Sequence, residues 1–374
     1  MRQTPYICTL DLTHKCNLKC IHCNRNAGRT FKRELPVDTW LKVMDELLEL
    51  FPSSSPRVFV FGGGEPFLVK KKLFKILKYV REYIPPELPL EPTDVAVKEF
   101  LKLKSKIVIS TNATLITDDV IDELKRIKPD IICVSLDATS EKIHKLIRGI
   151  SLESVLRGIK KLSKYFLIRV GFVVSTLNIY EAPSLINFVH RMNIKFIRFI
   201  PLYPIGRATT LLNYIPSPTQ YYKLLAMIEE SINNLEDPPH VEVGLPRCYY
   251  VDERLVRKIQ ELKPPITIES HECTAFFKQI SINPEGFVTG CCQMNVIPYF
   301  YIGNIRQERI NEIWNNSEKV INFRNFLNNR ENYLIKCRGC NLWNWCRGGC
   351  RACSYAIYES LYDIDPRCSF RGRK

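Results

Sequence analysis

Residues 6–23 read YICTLDLTHKCNLKCIHC, an alternating run of apolar and polar residues followed directly by three closely spaced cysteines. The run predicts a β-strand, because the side chains of a half-buried strand alternate between its two faces. The three cysteines, Cys16, Cys20 and Cys23, then fall in the loop after that strand. Thiols at this spacing in one loop indicate a metal site.

Two kinds of metal site suit this loop. A [4Fe–4S] cluster has four irons, and protein thiolates usually bind all of them. Three cysteines without a fourth nearby would leave one iron open to an amino and carboxylate chelate, such as the methionine part of S-adenosylmethionine. The alternative is structural zinc, whose four ligands would be completed by His14 or His22.

Strand and helix patterns alternate from the first strand to about residue 200. The strand candidates are residues 6–12, 57–61, 106–110, 131–136, 167–175 and 195–200. The helix candidates between them are residues 38–50, 71–83, 118–127, 152–165 and 181–192. Six strand–helix units predict an α/β protein with a buried parallel sheet, and we expect a partial (β/α)6 barrel. Ligand-contacting residues in such a fold lie at the carboxyl ends of the strands.

Polar and glycine-rich clusters follow three of these strands. The residues concerned are Gly62, Gly63, Gly64, Glu65 and Pro66 after the second strand, Ser110 and Asn112 after the third, and Ser135 and Asp137 after the fourth, with Arg148 further on. Glycines let a backbone approach a ligand closely, and the Glu65 carboxylate suits a ligand's ammonium group. The sequence therefore predicts a small-molecule site at this edge of the sheet.

The C-terminal region carries most of the remaining cysteines. Cys337, Cys340, Cys346 and Cys350 are followed by Cys368, and Cys273, Gly286 and Cys291 precede them. Such spacing indicates a metal-binding α+β domain, although zinc ribbons share the CxxC element. We therefore expect three regions: a core at 1–210, a linker with bridging helices at 211–272, and a cysteine-rich domain at 273–374.

The N-terminal motifs resemble those of the radical S-adenosylmethionine superfamily, in the expected order over roughly residues 5–205. The resemblance implies that Cys16, Cys20 and Cys23 bind a catalytic [4Fe–4S] cluster. It also implies that S-adenosylmethionine lies against residues 62–66, Ser110, Asn112, Ser135, Asp137 and Arg148. In that superfamily the reduced cluster cleaves the cofactor to a 5′-deoxyadenosyl radical, which abstracts a substrate hydrogen.

The tail is similar to the SPASM extension, which carries auxiliary iron–sulfur clusters. That resemblance implies one cluster on Cys337, Cys340, Cys346 and Cys368. It implies a second on Cys273, Cys291 and Cys350, whose fourth ligand the sequence does not assign: it would be Cys248, Cys292 or Cys353, or the position would be open to substrate. Sulfatase-maturing members have an aspartate where this chain has Cys292, which argues against that activity.

Composition narrows the class of protein. The net charge is +15, but the basic residues are scattered, so we interpret them as a solvated surface and disfavour a nucleic-acid partner. No apolar run reaches the length of a membrane span, and the start lacks a signal peptide's apolar stretch, so we expect a cytoplasmic protein. Fifteen cysteines in such a protein indicate metal binding rather than disulfides.

The expected function is oxidative modification of a peptide or protein side chain, with the auxiliary clusters accepting an electron. The alternative is tetrapyrrole chemistry in alternative haem or haem d1 biosynthesis, because the tail from Gly348 to Cys368 is also similar to those enzymes. Either reaction needs an electron donor such as ferredoxin or flavodoxin. From a different class, a non-catalytic iron–sulfur electron carrier or a zinc-ribbon RNA-binding protein would also use cysteines.

Overall fold

The structure is a computed structural model that describes residues 4–28, 33–51, 56–88, 93, 100–269 and 273–368. Parallel strands form its main sheet and follow one another in chain order. Their bounds are β1 Ile7–Thr13, β2 Arg57–Gly63, β3 Ser105–Thr111, β4 Ile131–Ser135, β5 Ile168–Val174, β6 Phe196–Pro201, β7 His240–Gly244 and β8 Ile266–Glu269. The predicted α/β class and partial barrel are confirmed, and within the described residues the sheet does not close on itself.

The parallel sheet is longer than the six predicted strands. Residues 211–272, interpreted from the sequence as a linker with bridging helices, contribute β7 and β8 as two further parallel strands. Each of these strands is short and follows a Pro-Pro pair, at 238–239 and 264–265. Proline is tolerated at the start of a strand because the first residue need not donate to the ladder. The same prolines favour a loop when only the sequence is considered.

Helices alternate with these strands along the chain and pack against the sheet, and further helices follow in the C-terminal region. Their bounds are α1 Val37–Leu50, α2 Lys70–Tyr83, α3 Asp118–Ile127, α4 Glu141–Arg148, α5 Leu152–Leu162, α6 Ala182–Arg191, α7 Pro218–Asn233, α8 Glu253–Glu261, α9 Ile310–Asn316, α10 Glu318–Asn328, α11 Arg330–Tyr333, α12 Trp343–Cys346 and α13 Arg351–Tyr358. Helix α1 shows why they pack there, since it buries Trp40, Val43, Met44 and Leu47 at intervals of three or four residues. No helix of the described segments combines the length and apolar character that crossing a membrane requires.

The C-terminal region extends the same sheet from its other edge. Strand β9 (Gln279–Ile282) pairs in parallel with β1, and β10 (Phe287–Thr289) and β11 (Gly303–Asn304) follow in antiparallel order. The turn between β9 and β10 contains Gly286 with φ +94°, a conformation that glycine adopts readily. Because β10 runs antiparallel to β9 and therefore to β1, its end at Thr289 points towards the amino end of β1, and Cys291 follows it.

A buried ion pair fixes the start of β4 against α2. The Asp130 carboxylate accepts a hydrogen bond from the backbone of Ile107 at 2.6 Å and lies 3.0 Å from the Arg81 guanidinium. The side chains of the pair are 8% and 3% exposed. The Arg81 guanidinium also donates to the carbonyl oxygens of Ile84, Ile127 and Lys128, but Asp130 is the negative charge that pairs with it in this buried position.

Asp130→Asn should lower the free energy of unfolding by about 3–5 kcal/mol, because it leaves the Arg81 charge buried without its partner. Asp118→Asn is the matched control: its pair with Lys161 is exposed, at 89% and 42%, and should cost less than about 1 kcal/mol. Anaerobic urea denaturation of both variants measures the difference. Equal losses would show that the buried pair has no special role.

Candidate metal centres

The N-terminal cysteines lie in the loop between β1 and α1, at the carboxyl end of the parallel strands. We call residues 14–28 the N-terminal cysteine loop. Burial, with smaller contributions from Cys20, Cys23 and other groups, raises the pKa of Cys16 to about 11. The Leu18 backbone N–H lies 3.4 Å from the Cys16 Sγ and donates to it. The three predicted thiols lie in this one loop, where Cys20 and Cys23 are near enough to affect Cys16, and their role as cluster ligands stays a prediction.

The loop is held from the end of β6 by two residues that sequence reasoning missed. The Arg207 guanidinium donates to the carbonyl oxygens of Cys20 at 2.9 Å and Ala27 at 2.5 Å. Gly206 has φ +63°, and a Cβ there would lie 2.8 Å from the Cys23 carbonyl oxygen. The only sequence signal was a Gly-Arg pair soon after the sixth strand.

The glycine run after β2 packs against the start of the cysteine loop. Gly63 has φ +111°, and a Cβ on Gly64 would lie only 2.0 Å from the Lys15 carbonyl oxygen. The Gly64 N–H donates to the Thr13 carbonyl oxygen at 2.8 Å. These glycines therefore allow the chain after β2 to lie close to the backbone of the cysteine loop. The sequence instead predicted that they would let the backbone approach a ligand. Gly62 lies on β2 beside Asp11 in register.

Glu65 is fully buried and already has several partners. Its carboxylate accepts hydrogen bonds from the Thr111 hydroxyl at 2.8 Å and from the backbone of Asn112 at 2.8 Å and Phe67 at 3.1 Å. Burial raises the pKa of Glu65 to about 7. These bonds tie the end of β2 to the end of β3, with Pro66 starting the short 3-10 helix that follows. About one acceptor position of the carboxylate remains for a ligand's ammonium group.

The polar residues predicted after β3 and β4 lie near the loop. The Asn112 side-chain amide is 4.0 Å from the Cys16 Sγ and donates to Asn17 at 2.9 Å. Ser110 and Ser135 are half-buried on the neighbouring strands β3 and β4. The structure therefore connects Asn112 directly to a predicted cluster ligand and places the two serines on adjacent strands of the same sheet.

Asp137 and Arg148 form a buried ion pair beside Cys20. The Arg148 Nε is 2.6 Å from the Asp137 Oδ2, and its Nη1 is 3.9 Å from the Cys20 Sγ. Although burial opposes it, Arg148 and His22 hold the pKa of Asp137 below its usual range. Burial lowers the pKa of His22 to about 4, so this imidazole is neutral near pH 7. Burial raises the pKa of Cys20, and the nearby Arg148 guanidinium opposes that shift.

The residues of this end of the sheet fit an iron–sulfur cluster with a bound organic ligand better than a zinc ion. Three thiols share the loop, and two buried polar atoms, the Asp11 Oδ1 and the His22 Nδ1, have no hydrogen-bond partner in the protein. Buried polar atoms of this kind normally have a partner, which a ligand would supply. The imidazoles proposed for zinc face carboxylates instead, His22 at 3.3 Å from Asp137 and His14 at 3.8 Å from Glu285.

Four of the remaining cysteines form what we call the first C-terminal group: Cys337, Cys340, Cys346 and Cys368. Each interacts electrostatically with other members, and burial raises the pKa of Cys346 to about 12. Cys248 joins them from the short helix Arg247–Val251. A hydrogen bond to Cys368, together with burial, raises the pKa of Cys248 well above its usual range. The structure thus places Cys248 beside this group.

The second C-terminal group consists of Cys273, Cys291 and Cys350. Burial and the neighbouring thiols of Cys292, Cys350 and Cys273 raise the pKa of Cys291 well above its usual range. Cys350 precedes α13, and a hydrogen bond from Cys353 lowers the pKa of Cys350 to about 7. The three predicted thiols come together, and both Cys292 and Cys353 lie beside them.

Asp365 and Arg367 connect the two C-terminal groups. The Asp365 carboxylate accepts from the Cys350 backbone at 2.7 Å and pairs with the Arg367 guanidinium at 2.8 Å. Arg367 directly precedes Cys368, and its guanidinium lies 4.7 Å from the ring centre of Tyr203, after β6. Sequence reasoning assigned neither residue a role, although the run Asp-Pro-Arg-Cys was the available signal.

Two family models match the chain. The model of the radical SAM superfamily matches residues 10–181, which contain the N-terminal cysteine loop and strands β2 to β5. The SPASM model, described as an iron–sulfur cluster-binding domain, matches residues 273–341. For the C-terminal cysteines, this match favours iron–sulfur clusters over zinc ribbons.

Individual proteins resemble the chain over nearly its whole length. An AdoMet-dependent heme synthase of Methanosarcina barkeri is 26% identical, with 100% of this chain and 99% of the relative covered. The mycofactocin maturase MftC of Mycolicibacterium smegmatis is 24% identical, with 97% and 82% covered. The crystal structure of Streptococcus suis SuiB bound to its precursor peptide SuiA superposes with a TM-score of 0.72 at 17% identity, covering 97% of this chain and 75% of SuiB. At that identity the superposition shows a shared fold alone.

Gly64→Ala should greatly reduce iron binding by the N-terminal cysteine loop, because its Cβ would lie 2.0 Å from the Lys15 carbonyl oxygen and displace the loop. Gly62→Ala is the control within the same run, since its Cβ would meet only the Ser110 Cβ at 3.5 Å, an ordinary contact. Iron content and EPR after anaerobic reconstitution measure both. Normal iron loading in Gly64→Ala would refute the packing argument.

Proposed function

We propose that this chain, which belongs to the radical SAM superfamily and carries a SPASM-type iron–sulfur domain, performs radical chemistry on the propionate side chains of a tetrapyrrole. The observation that carries the proposal is the alignment with the heme synthase of Methanosarcina barkeri, which spans essentially all of both chains.

In this proposal Cys16, Cys20 and Cys23 would hold the catalytic [4Fe–4S] cluster, which would leave one iron for S-adenosylmethionine. When bound, the cluster and S-adenosylmethionine supply a 5′-deoxyadenosyl radical that abstracts a hydrogen atom from the substrate. The chain's own contribution is positional. The Arg148 guanidinium lies 3.9 Å from the Cys20 sulfur, where it opposes the effect of burial on this thiol, and the amide of Asn112 reaches the Cys16 sulfur.

The remaining predicted cofactor contacts belong to the same proposal. The edge of the sheet that carries Gly62, Gly63 and Gly64 and the half-buried Ser110 and Ser135 would form the wall against which the organic cofactor lies. Glu65, Pro66 and Asp137 would act mainly through the protein, because their partners in the structure are protein groups. The unpaired Asp11 Oδ1 is an acceptor for a donor group of cofactor or substrate.

The two C-terminal groups would hold auxiliary [4Fe–4S] clusters. Cys337, Cys340, Cys346 and Cys368 supply four thiolates, as many as one cluster takes. Cys273, Cys291 and Cys350 supply three for the other, and the fourth ligand stays open between the adjacent Cys292 and Cys353. A soluble donor such as ferredoxin or flavodoxin would reduce the catalytic cluster. The fifteen free thiols suit a reducing compartment, and we therefore place the protein in the cytoplasm.

Auxiliary clusters suit this reaction because it releases an electron. When a propionate becomes a vinyl group, the side chain loses carbon dioxide, one hydrogen atom and one electron. The radical would account for the hydrogen atom, and an auxiliary cluster held by the C-terminal cysteines would supply a nearby acceptor for the electron. The buried pair of Asp365 and Arg367 lies between the two C-terminal groups and would keep their ligands in place for this role.

Peptide modification, the first expectation from the sequence, is the second candidate. It is favoured by the 24% identity to the mycofactocin maturase MftC over 97% of this chain. The tetrapyrrole proposal is preferred because the heme synthase alignment covers 99% of the relative, against 82% for MftC. A non-catalytic iron–sulfur carrier or zinc-ribbon RNA-binding protein has no need of the glycine-rich run or of an open iron.

The direct test is turnover. Anaerobically reconstituted protein with dithionite, S-adenosylmethionine and iron-coproporphyrin III should form 5′-deoxyadenosine together with a porphyrin that has lost carbon dioxide and two hydrogens, as judged by mass spectrometry. The Cys16/Cys20/Cys23→Ala variant should form neither, since the catalytic cluster has lost its ligands. Formation of 5′-deoxyadenosine that does not respond to the porphyrin, with no porphyrin product, would contradict the substrate assignment.

A further inference from the structure

We propose that Arg25 is a positioning residue that fixes the second C-terminal group against the N-terminal cysteine loop, and so sets the separation of the two metal centres. The inference rests on the proposed function in one respect, namely that both sets of cysteines hold clusters. It concerns a residue that neither the motifs nor the ligand sets include.

Arg25 reaches across the boundary between the two regions. It lies two residues after Cys23 in the N-terminal cysteine loop, and its Nη1 donates to the Cys292 carbonyl oxygen at 2.6 Å. Its guanidinium also lies beside the Cys292 side chain. Since Cys292 directly follows Cys291, a predicted ligand, one side chain connects the two ligand-bearing loops.

A buried carboxylate holds the guanidinium in this position. The Arg25 Nε is 2.7 Å from the Asp11 Oδ2, which also accepts from the Asn295 amide at 2.7 Å. Asn295 in turn accepts from the Thr289 hydroxyl at 2.7 Å. The side chain of Asp11 is 3% exposed and that of Arg25 15%. Strand β1, the N-terminal cysteine loop and the loop after β10 therefore share one buried network of charge and hydrogen bonds.

Strand pairing alone does not fix the position of Cys291 relative to the N-terminal cysteine loop. Pairing of β1 with β9 sets the register of the β9–β10 hairpin, but β10 ends at Thr289, before Cys291. The backbone of Cys291 is extended, and only a short 3-10 helix, Cys292–Met294, follows it. The hydrogen bond from Arg25 to the Cys292 carbonyl oxygen therefore directly restrains the position of the Cys291 thiol in the second C-terminal group.

Such a restraint matters for electron transfer. The rate of electron transfer between two centres falls steeply with their separation, and hydrogen bonds around the ligands tune the potential of an iron–sulfur cluster. Loss of Arg25 should therefore disturb the auxiliary centre more than the catalytic one. The effect of losing Arg25 can be measured without substrate, because a cluster on Cys273, Cys291 and Cys350 would have its own EPR spectrum and reduction potential.

The matched control is Arg207. Its guanidinium also binds the N-terminal cysteine loop, through the Cys20 and Ala27 carbonyl oxygens, and those bonds lie wholly within the radical SAM core. We therefore compare Arg25→Gln with Arg207→Gln in the full-length reconstituted protein. Each is also placed in the Cys16/Cys20/Cys23→Ala background, where only auxiliary clusters contribute to the EPR spectrum.

Arg25→Gln should keep its iron and its 5′-deoxyadenosine formation, while the spectrum and potential of an auxiliary cluster shift. With iron-coproporphyrin III, product formed per 5′-deoxyadenosine should fall roughly 10- to 100-fold, the range expected when a group supporting a metal ligand is lost. Arg207→Gln should instead alter the catalytic cluster and leave the auxiliary spectrum unchanged. Asp11→Asn/Arg25→Gln removes both buried charges and should give the same auxiliary shift, which keeps the test valid if the single variant misfolds.

An auxiliary spectrum and potential in both Arg25 variants that match the parent protein would overturn the inference. So would an identical disturbance in Arg25→Gln and Arg207→Gln, since that would indicate a general effect of loosening the loop. If the parent protein does not convert the porphyrin but Arg25→Gln shifts the auxiliary spectrum, the tetrapyrrole function fails while the positioning role stands.

Discussion

The N-terminal cysteine loop carries three thiols with little regular secondary structure, so its backbone polar groups must find partners outside it. Most of the site follows from that constraint. The Lys15 carbonyl oxygen receives the Glu65 N–H at the end of β2, which requires Gly64 to lack a side chain. The carbonyl oxygens of Cys20 and Ala27 accept hydrogen bonds from the guanidinium of Arg207. The ends of β2 and β6 thereby determine where the thiols lie.

Pairs of arginine and aspartate are the second feature that the three cysteine regions share. A buried or partly buried arginine accompanies each region of cysteines: Arg148 beside Cys20, the partly buried Arg25 beside Cys292, and Arg367 just before Cys368. An aspartate pairs with each of them, namely Asp137, Asp11 and Asp365 respectively. Thiolate-bound clusters are anionic, so a buried guanidinium stabilises them, and the aspartate fixes its direction. These pairs also explain how charged groups are tolerated in an otherwise apolar interior.

The sequence predicted what depends on local pattern. Alternation and helical periodicity located β1 to β6 and five of the helices between them but missed α4, Glu141–Arg148. The cysteine spacings grouped the thiols into three sets, and their role as cluster ligands stays a prediction. Strands β7 and β8 escaped prediction because Pro-Pro pairs precede them. Arg207 and Arg25 escaped because their partners are distant in sequence: Arg207 binds Cys20 across 187 positions, and Arg25 binds Cys292 across 267. The glycine run was located correctly, but no local pattern could show that Gly64 packs against Lys15.

The central claim is that the three sets of cysteines hold three separate [4Fe–4S] clusters. Iron and sulfide content with EPR, measured on anaerobically reconstituted wild type beside the Cys16/Cys20/Cys23→Ala variant, tests it most directly. The account predicts about twelve irons in the wild type and about eight in the variant, since each cluster holds four. Zinc without iron, or an iron content that the triple substitution leaves unchanged, would contradict it.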